Sequence, residues 1–201
     1  EFADRRSVVV FEPSSAKNKE LFHEALDVCH VLKYSRERSR MFSNINSRPH
    51  PILEIETLGS KGLTYRVNLG SMDSRWKHMY PYKLRRVIDT AGAGDWCTAG
   101  IIHSLLRGGL DEFGRLPNDR FELSMKFGQA MAAFNCMFEG ARGGMYSVTR
   151  DQFKNIVTDI ILNGDSVDID DIISERTKSN GFTAHGHYNK VSYSHLVESI
   201  E

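Results

Sequence analysis

A run of small residues between two aspartates is the stretch of this sequence with the most evident chemistry. It reads Asp-Thr-Ala-Gly-Ala-Gly-Asp over residues 89–95, and an apolar helical pattern follows it directly. Small residues let the backbone approach a ligand closely. The first amides of a helix have no partner inside it and carry the positive end of its dipole, so they suit an anion, most often phosphate. The stretch is therefore interpreted as an anion-binding loop that runs into a helix.

Asp95 stands at the junction of this loop and the helix, where a carboxylate repels an anion unless it takes part in the chemistry or a metal lies between them. The alternative is an N-cap, since aspartate is among the best capping residues. Two other phosphate motifs are excluded. A P-loop has lysine and then serine or threonine after its last glycine, and the dinucleotide fingerprint has a glycine or alanine where Cys97 stands.

The bulk composition is that of an ordinary globular domain. The 201 residues include 26 basic and 26 acidic side chains, so neither a nucleic-acid partner nor a membrane partner is expected. No apolar run in the sequence approaches the length of a membrane-spanning helix, and residues 1–6 do not resemble a signal peptide. Three widely spaced cysteines, Cys29, Cys97 and Cys136, indicate buried thiols in a reducing cytoplasm rather than disulfides or a metal site.

Hydrophobic periodicity predicts strands that alternate with helices. A buried strand over residues 8–11, an amphipathic helix over 18–28 and a second buried strand over 28–32 form a βαβ unit, which implies a parallel sheet. Residues 52–57 and 63–67 are predicted to pair as a hairpin, the second strand alternating as an exposed strand would.

The second half of the chain is predicted to be mainly helical. Residues 68–83 are interpreted as a polar, aromatic-rich loop that precedes the central stretch. The helix that begins at Asp95 should end at the glycines 108 and 109, because glycine is the usual residue after a helix C-terminus. Two further amphipathic helices are predicted over 120–139 and 149–162.

The stretch at 89–95 and its apolar helix resemble the C-terminal signature of the PfkB/ribokinase family of carbohydrate kinases. The resemblance covers roughly residues 7–150 and corresponds to the C-terminal part of a family member, so the N-terminal part of the fold is expected to be absent. It implies an α/β, ribokinase-like fold with a mostly parallel sheet flanked by helices and ligands at the carboxyl ends of the strands. Residues 1–164 would form this domain, and residues 165–201 a polar C-terminal tail.

The family transfers the γ-phosphoryl group of ATP to a sugar hydroxyl. The resemblance therefore implies an ATP-dependent kinase that acts with Mg²⁺ on a sugar or a nucleoside. Asp95 would be the general base that takes the proton of the attacking hydroxyl. The anion hole would consist of the backbone amides of four consecutive loop residues, Ala91, Gly92, Ala93 and Gly94.

Five residues are expected on the nucleotide side by the same resemblance. Thr57, Gly59 and Gly62 match a family segment whose strand end and turn face the ATP phosphates and ribose, although the two glycines taken alone indicate a hairpin turn. Asn135 would border the adenine pocket, and the alternative for it is an amide on a helix surface. Gly140 would belong to a glycine-containing loop that closes the nucleotide site.

Two carboxylates are the candidates for metal binding. Asp89, with backbone carbonyls, would help to hold a monovalent cation such as K⁺. After the second strand the family has Lys-Pro-Asn and then an acid three residues beyond the Asn, which position Mg²⁺ and phosphate; here Ser35 and Arg38 stand in the places of the Asn and the acid. Glu37, offset by one residue, is the candidate substitute, and a solvated helix start of mixed charge is the alternative. The His-Gly-His segment at 185–187 lacks a third ligand at fixed spacing and is not expected to bind a metal.

Two functions from different classes remain open. One is a sugar kinase represented by its nucleotide-binding, base-carrying portion; the other is a non-catalytic nucleotide-binding or interaction module, a truncated or split relative that needs a partner chain. The changed segment at 33–38 and the unusual tail favour the second, and the intact stretch at 89–95 favours the first. An incomplete sheet leaves an exposed edge and an apolar face, so a homo-oligomer or a completing N-terminal chain is expected.

Overall fold

The computed structural model describes residues 6–42, 51–70 and 74–163, and the chain divides into two compact units. Unit 1 contains the residues up to Pro81 and the segment Leu105–Glu122. Unit 2 contains Tyr82–Ser104 and the residues from Leu123 onward. The tail predicted at 165–201, with its His-Gly-His segment, lies outside the described residues.

Unit 1 is built on a five-stranded sheet in which strands that are consecutive in sequence are also neighbours in space. The strands are β1 (Val10–Phe11), β2 (Val31–Ser35), β3 (Leu53–Thr57), β4 (Leu63–Val67) and β5 (Lys77–Met79). The first three run parallel, whereas β3 with β4 and β4 with β5 are antiparallel. The sheet is therefore mixed, and it contains both the parallel pairing and the hairpin that the sequence predicts.

Helix α1 (Lys19–Val28) connects β1 to β2, as the predicted βαβ unit requires. Asn18 caps it, because its side-chain oxygen accepts a hydrogen bond from the Leu21 N–H at 3.1 Å. Phe22 and Leu26 are buried on the side of the helix that packs with β2. Burying two such side chains contributes roughly 3–6 kcal/mol, which fixes α1 on the sheet.

The first two strands are shorter at their N-terminal ends than predicted, and contacts of His30 lie at both of these ends. The strand predicted at 8–11 is shorter in the structure, where β1 contains only Val10–Phe11. Both residues are half-buried, so the strand is not covered on both faces. The second strand begins at Val31 because His30 binds the chain just before it. The His30 Nδ1 accepts a hydrogen bond from the Val9 N–H at 3.0 Å, and the His30 N–H donates to the Val9 carbonyl at 2.9 Å. His30 is thus a structural residue, and partial burial lowers its pKa.

The segment at 68–83 contains β5, so its interpretation as a loop was wrong. β5 pairs with the first three residues of β4. Residues of β4 alternate between buried and half-buried positions, so this strand is covered on one face instead of exposed as expected. Gly62 allows β5 to come close, because a side chain there would collide with the Met79 carbonyl.

Three of the helices match the predicted ones with shifted ends: α2 (Ala93–Leu105), α4 (Asn118–Cys136) and α6 (Arg150–Asn163). The short helices α3 (Gly109–Phe113) and α5 (Gly143–Ser147) were not predicted, because each is a single turn begun by glycine. Across the described residues, no helix combines the length and the apolar character needed to cross a membrane.

The core of unit 2 lies between α6 and the second half of α4. The apolar stripe predicted on α4 is confirmed as core, and the buried residues of this cluster are Phe127, Ala130, Ala133, Phe134, Met137, Phe138, Ile156, Val157 and Ile160. Two glycines let α2 approach α4 closely. A Cβ added to Gly100 would lie 3.0 Å from the Gly128 Cα, and one added to Gly128 would lie 2.9 Å from the Cys97 carbonyl oxygen. This contact fixes the first half of α2 against the body of the unit.

All three cysteines are free thiols, as predicted from their spacing. Cys29 and Cys97 are buried, and Cys136 is half-buried. Burial raises the pKa of Cys29 to about 11, and it also raises the pKa of Cys136. Protonated, buried thiols of this kind act as small apolar side chains.

Candidate functional site

The loop at 89–92 leads directly into α2, as the sequence predicts. Directly before the loop, the Ile88 N–H donates a hydrogen bond to the Cys136 carbonyl at 2.9 Å. Gly92 has φ +77°, in the left-handed region that favours glycine. A Cβ added to Gly92 would lie 2.6 Å from the Ala141 Cβ, so the loop packs against the segment that follows α4. Both the turn and the close approach require glycine here.

Asp89 joins this loop to the segment after α4. Its Oδ1 accepts a hydrogen bond from the Ala91 N–H at 3.0 Å, and its Oδ2 accepts one from the Gly140 N–H at 2.9 Å. The Ala91 amide first, and then the Gly140 amide, hold the pKa of Asp89 below its usual value. Two residues expected at the site, Asp89 and Gly140, are thus brought into direct contact.

Asn135 is fully buried on α4, so the alternative of a surface amide is wrong. Its Nδ2 donates a hydrogen bond of 2.7 Å to the Ala91 carbonyl. Its Oδ1 has no hydrogen-bond partner among the residues that the structure describes. The structure therefore brings Asn135 together with the predicted anion hole, while its expected contact with adenine stays a prediction.

Trp96 and Ala141 belong to the same site, and sequence reasoning did not identify either as functional. The Trp96 Nε1 donates a hydrogen bond to the Ala141 carbonyl at 2.8 Å. The indole ring packs against Phe134 and Phe153, with ring centroids 5.4 and 6.1 Å away. An aromatic N–H donor directly after Asp95 was the available signal, but the sequence gives no indication of which carbonyl it binds.

Asp95 is exposed and lies within the first turn of α2. The helix begins at Ala93, so Gly92 precedes it and Asp95 is not the N-cap that the alternative proposed. A carboxylate in the first turn is stabilised by the positive end of the helix dipole. It is also accessible to a ligand that approaches the loop.

Two of the four amides predicted for the anion hole donate hydrogen bonds inside the loop itself. The Ala91 N–H binds Asp89, and the Ala93 N–H donates to the Thr90 carbonyl at 3.2 Å. These bonds make the loop rigid, but they direct both amides toward protein acceptors. The role of the four amides in binding an anion stays a prediction.

The glycine-containing stretch at 57–62 belongs to unit 1 and forms the turn between β3 and β4. The Leu58 N–H donates to the Gly62 carbonyl at 2.8 Å, and the Gly62 N–H donates to the Gly59 carbonyl at 3.0 Å. Gly59 has φ +59° and open space around its Cα, and Gly62 has φ +89°. Thr57 donates its hydroxyl to the Tyr34 carbonyl at 3.4 Å. The turn and, for Gly62, the close approach of β5 account for both glycines, so their nucleotide role stays a prediction.

The segment at 33–38, also in unit 1, is rich in ion pairs. The buried Lys33 Nζ lies 2.6 Å from the Glu12 Oε1. Arg36 donates two hydrogen bonds to the Glu56 carboxylate, at 3.2 and 3.1 Å, and the Arg38 Nη1 donates to the Pro13 carbonyl at 3.3 Å. Glu37 is exposed in a 3₁₀ helix at Arg36–Phe42, which agrees with the alternative of a helix start of mixed charge.

These surroundings do not fit a Mg²⁺ site. Guanidinium groups at positions 36 and 38 flank Glu37 in sequence, and positive charge disfavours a divalent cation. No group of three or more His, Cys, Asp or Glu side chains that could hold a metal occurs in the described part of the chain. The assignment of Glu37 to Mg²⁺ therefore gains no support from its neighbours.

Comparisons with known proteins place this geometry in a family. The chain matches the model of the pfkB family carbohydrate kinases over residues 3–146. Its fold is similar to that of a nucleoside kinase from Burkholderia thailandensis, solved in complex with inosine, with a TM-score of 0.59 at 15% identity over 81% of this chain and 50% of that chain. No curated protein matches the chain in sequence.

Two further solved kinases have similar folds. The aminoimidazole riboside kinase from Salmonella enterica, complexed with aminoimidazole riboside and an ATP analogue, gives a TM-score of 0.54 at 17% identity, over 74% of this chain and 51% of that chain. A fructokinase double mutant from Vibrio cholerae, bound to fructose, ADP and a potassium ion, gives a TM-score of 0.52 at 17% identity. The match covers 68% of this chain and 46% of that chain.

The chain spans about half the length of these solved kinases. Within that half it has an α/β fold with a mixed sheet, and a small-residue loop between Asp89 and Asp95 that runs into α2. The family model covers most of the chain and includes this loop. The chain therefore belongs to the pfkB family of carbohydrate kinases.

Proposed function

We propose that this chain is the nucleotide-binding, base-carrying portion of a kinase that transfers the γ-phosphoryl group of ATP to a hydroxyl of a sugar or nucleoside. The observation that carries the proposal is the loop at 89–95, which Asp89 and Asn135 hold at the start of a helix. A backbone that is fixed before the ligand arrives needs no reorganisation as charge develops in the reaction. The ligands of the three solved kinases, which include nucleosides, fructose, an ATP analogue and ADP, support both substrate classes.

Asp95 is the proposed general base. Its exposed carboxylate, on the first turn of α2, would accept the proton of the acceptor hydroxyl as that oxygen attacks phosphorus. The loop amides would stabilise the charge on the transferring phosphoryl group. Proton transfer of this kind typically contributes about 10²–10⁴-fold to the rate.

Nucleotide binding is proposed for residues of both units. In unit 1 these are Thr57, Gly59 and Gly62, at the end of β3 and in the turn that follows it. In unit 2, Gly140 follows α4 and donates its amide to Asp89. Glycine at position 140 has φ +75° and open space around its Cα, which leaves room for a ligand against the backbone.

Two cations are implied by phosphoryl transfer in this family. Mg²⁺ would neutralise the ATP phosphates when bound, and since the residues at 35–38 do not fit it, no protein ligand for it is proposed there. K⁺ fits better, because a carboxylate has about four lone-pair sites and the two amide bonds to Asp89 leave some of them available. Asp89 would hold this cation together with backbone carbonyls, and ATP affinity measured in KCl against choline chloride tests the assignment.

A completing partner is also proposed, either a second copy or an N-terminal chain. Val87 and Ile88, directly before the loop, are 55% and 47% exposed, although both are large apolar residues. Exposed apolar residues beside a functional loop are typical of an interface. Light scattering of the chain at high concentration tests for self-association, and a well-behaved monomer would count against a homo-oligomer.

The direct test is release of ADP from ATP in the presence of a panel of sugars and nucleosides, with Asp95→Asn as the matched variant. The expected result is turnover with at least one acceptor and a loss of about 10²–10⁴-fold in the variant, with ATP affinity retained because asparagine keeps the shape of the side chain. Near-wild-type turnover in Asp95→Asn would remove the general-base assignment.

The second candidate function is a non-catalytic nucleotide-binding module. The observation in its favour is the segment at 33–38, where Arg36 and Arg38 are engaged with Glu56 and with the Pro13 carbonyl. A module of this kind would bind ATP but release no ADP with any acceptor on the panel.

A further inference from the structure

The peptide groups of the loop are each oriented by the group that binds them. In a trans peptide the carbonyl of one residue and the N–H of the next point in opposite directions, and no cis peptide bond occurs in the described residues. A side chain that holds a carbonyl therefore also sets the direction of the following amide. In this loop the Ala91 and Ala93 amides already point to protein acceptors.

The peptide between Ala91 and Gly92 is held from the carbonyl side. Asn135 Nδ2 donates to the Ala91 carbonyl at 2.7 Å, so the Gly92 N–H points in the direction opposite to Asn135. Gly92 adopts φ +77°, and its own carbonyl accepts the Trp96 N–H at 3.0 Å in the first turn of α2. A buried side chain therefore orients the Ala91–Gly92 peptide, which carries the Gly92 N–H, and the first turn of α2 holds the next peptide.

Asn135 carries a buried oxygen that is unpaired within the described part of the chain and unfavourable for the free energy of folding, which argues for a role beyond stability. Its side chain is 0% exposed, and its Oδ1 has no partner among the described residues. An unpaired polar atom in the interior is unfavourable, and an apolar side chain of the same size would avoid that cost. The residue makes one oriented hydrogen bond, and that bond ends on the carbonyl that sets the Gly92 amide.

We propose that Asn135 is a positioning residue that aims the Gly92 N–H at the phosphate of the bound nucleotide. The inference rests on the proposed function, and it makes Gly92 the principal oriented donor among the four amides expected in the anion hole. It also replaces the expected contact of Asn135 with adenine by a contact with the loop backbone.

Asn135→Leu separates these roles, because leucine fills the same space, removes the donor and removes the unpaired oxygen. Binding is measured by calorimetry with two probes in Mg²⁺ buffer, inorganic tripolyphosphate and the non-hydrolysable imido analogue of ATP. Loss of an amide hydrogen bond to a charged oxygen should weaken both probes by a similar factor, about tenfold or more. The melting temperature should stay close to that of the wild type. If Asn135 bordered adenine instead, only the nucleotide would be weakened.

Thr158→Val is the matched control, since it removes a side-chain bond to a backbone carbonyl, that of Lys154, at a distance of 2.7 Å on α6. It should bind both probes as the wild type does. Equal affinity of Asn135→Leu and wild type for tripolyphosphate would overturn the inference alone. A wild type that binds neither probe would overturn the proposed function and the inference with it.

A measurement on the wild type keeps the inference testable if Asn135→Leu does not fold. In a ¹H–¹⁵N spectrum the Gly92 amide should show the largest shift in the loop when tripolyphosphate is added. An unchanged Gly92 amide, beside loop amides that do shift, would overturn the assignment.

Discussion

Two of the glycine-containing stretches of the chain, at 57–62 and at 89–95, are held by different contacts. The turn at 57–62 is closed by its own backbone, through bonds among Leu58, Gly59 and Gly62, and the exposed His78 ring contacts the Lys61 carbonyl at 3.1 Å. The loop at 89–95 is joined to two other positions of unit 2: Asn135 donates to its Ala91 carbonyl, and its own Asp89 accepts the Gly140 amide. Local backbone bonds are enough to close a turn, whereas a buried side chain such as Asn135 can also orient the donors of a loop for a ligand.

The largest expected effect on nucleotide binding comes from Gly92→Ala. A non-glycine residue in the left-handed region costs about 1–2 kcal/mol, and the new methyl group would press on Ala141. The loop must shift to relieve this, so ATP affinity should fall by about tenfold or more. Gly70→Ala is the matched control, since Gly70 has φ +52° but nothing within 4 Å of an added Cβ. It should lose stability without losing ATP affinity, as measured by urea unfolding and calorimetry.

Asp89→Asn tests the bonds that join the loop to Gly140. An asparagine oxygen can accept only one of the two amides, and its NH₂ group would face the other, so both ATP affinity and stability should fall at neutral pH. The folded-state pKa of Asp89 lies below its unfolded value, so its contribution to stability is present above the unfolded value and is lost as pH falls through the folded one.

The difference in free energy of unfolding between wild type and Asp89→Asn should therefore shrink in acid, below the usual pKa range of aspartate. Urea unfolding at a series of pH values checks this. Asp111→Asn, at an exposed carboxylate paired with Arg6, is the control. A difference that stays constant down to the lowest pH would show that Asp89 does not stabilise the loop through its charge.

Gly59→Ala asks whether the turn in unit 1 also contributes to nucleotide binding. The position has φ +59° and open space, so the variant should fold with a modest loss of about 1–2 kcal/mol. We expect a smaller loss of ATP affinity than in Gly92→Ala, because the side chain points into free space. No change in affinity at all would leave Gly59 as a turn residue only and remove it from the proposed site.

The smallest expected effect on nucleotide binding is that of Tyr34→Phe. The Tyr34 hydroxyl donates to the buried Glu54 carboxylate at 2.9 Å, and Arg66 holds the other oxygen of that carboxylate. Losing a hydrogen bond to a charged group should reduce the free energy of unfolding by about 1.5–3 kcal/mol. ATP affinity should not change, and a matching loss of affinity would contradict the contrast between the two stretches.

The sequence predicted those parts of the fold that depend on local pattern. Apolar periodicity located α1, α4, α6 and the β3–β4 hairpin, and the run of small residues located the loop before α2. It missed β5, because three half-buried or exposed residues among aromatic and charged neighbours carry little periodic signal. It also misjudged the start of β2, which depends on the contact of His30 with Val9.

For the site, residue types were predictable and contacts were not. Asp89, Asn135 and Gly140 could be named from the resemblance, but the bonds from Asn135 to Ala91 and from Gly140 to Asp89 join positions 44 and 51 residues apart in the chain. The burial of Asn135 and the bond from Trp96 to Ala141 follow from how α2 and α4 pack, which no local pattern contains. Long-range packing therefore determined the part of the site that sequence reasoning could not reach.

The most direct test of the central claim is a calorimetric titration of the 201-residue chain with Mg²⁺-ATP, beside Gly92→Ala under the same conditions. We predict saturable binding by the wild type and clearly weaker binding by the variant. Absence of binding by a folded wild type, or equal binding by the two proteins, would contradict the claim that the loop at 89–95 binds the phosphates.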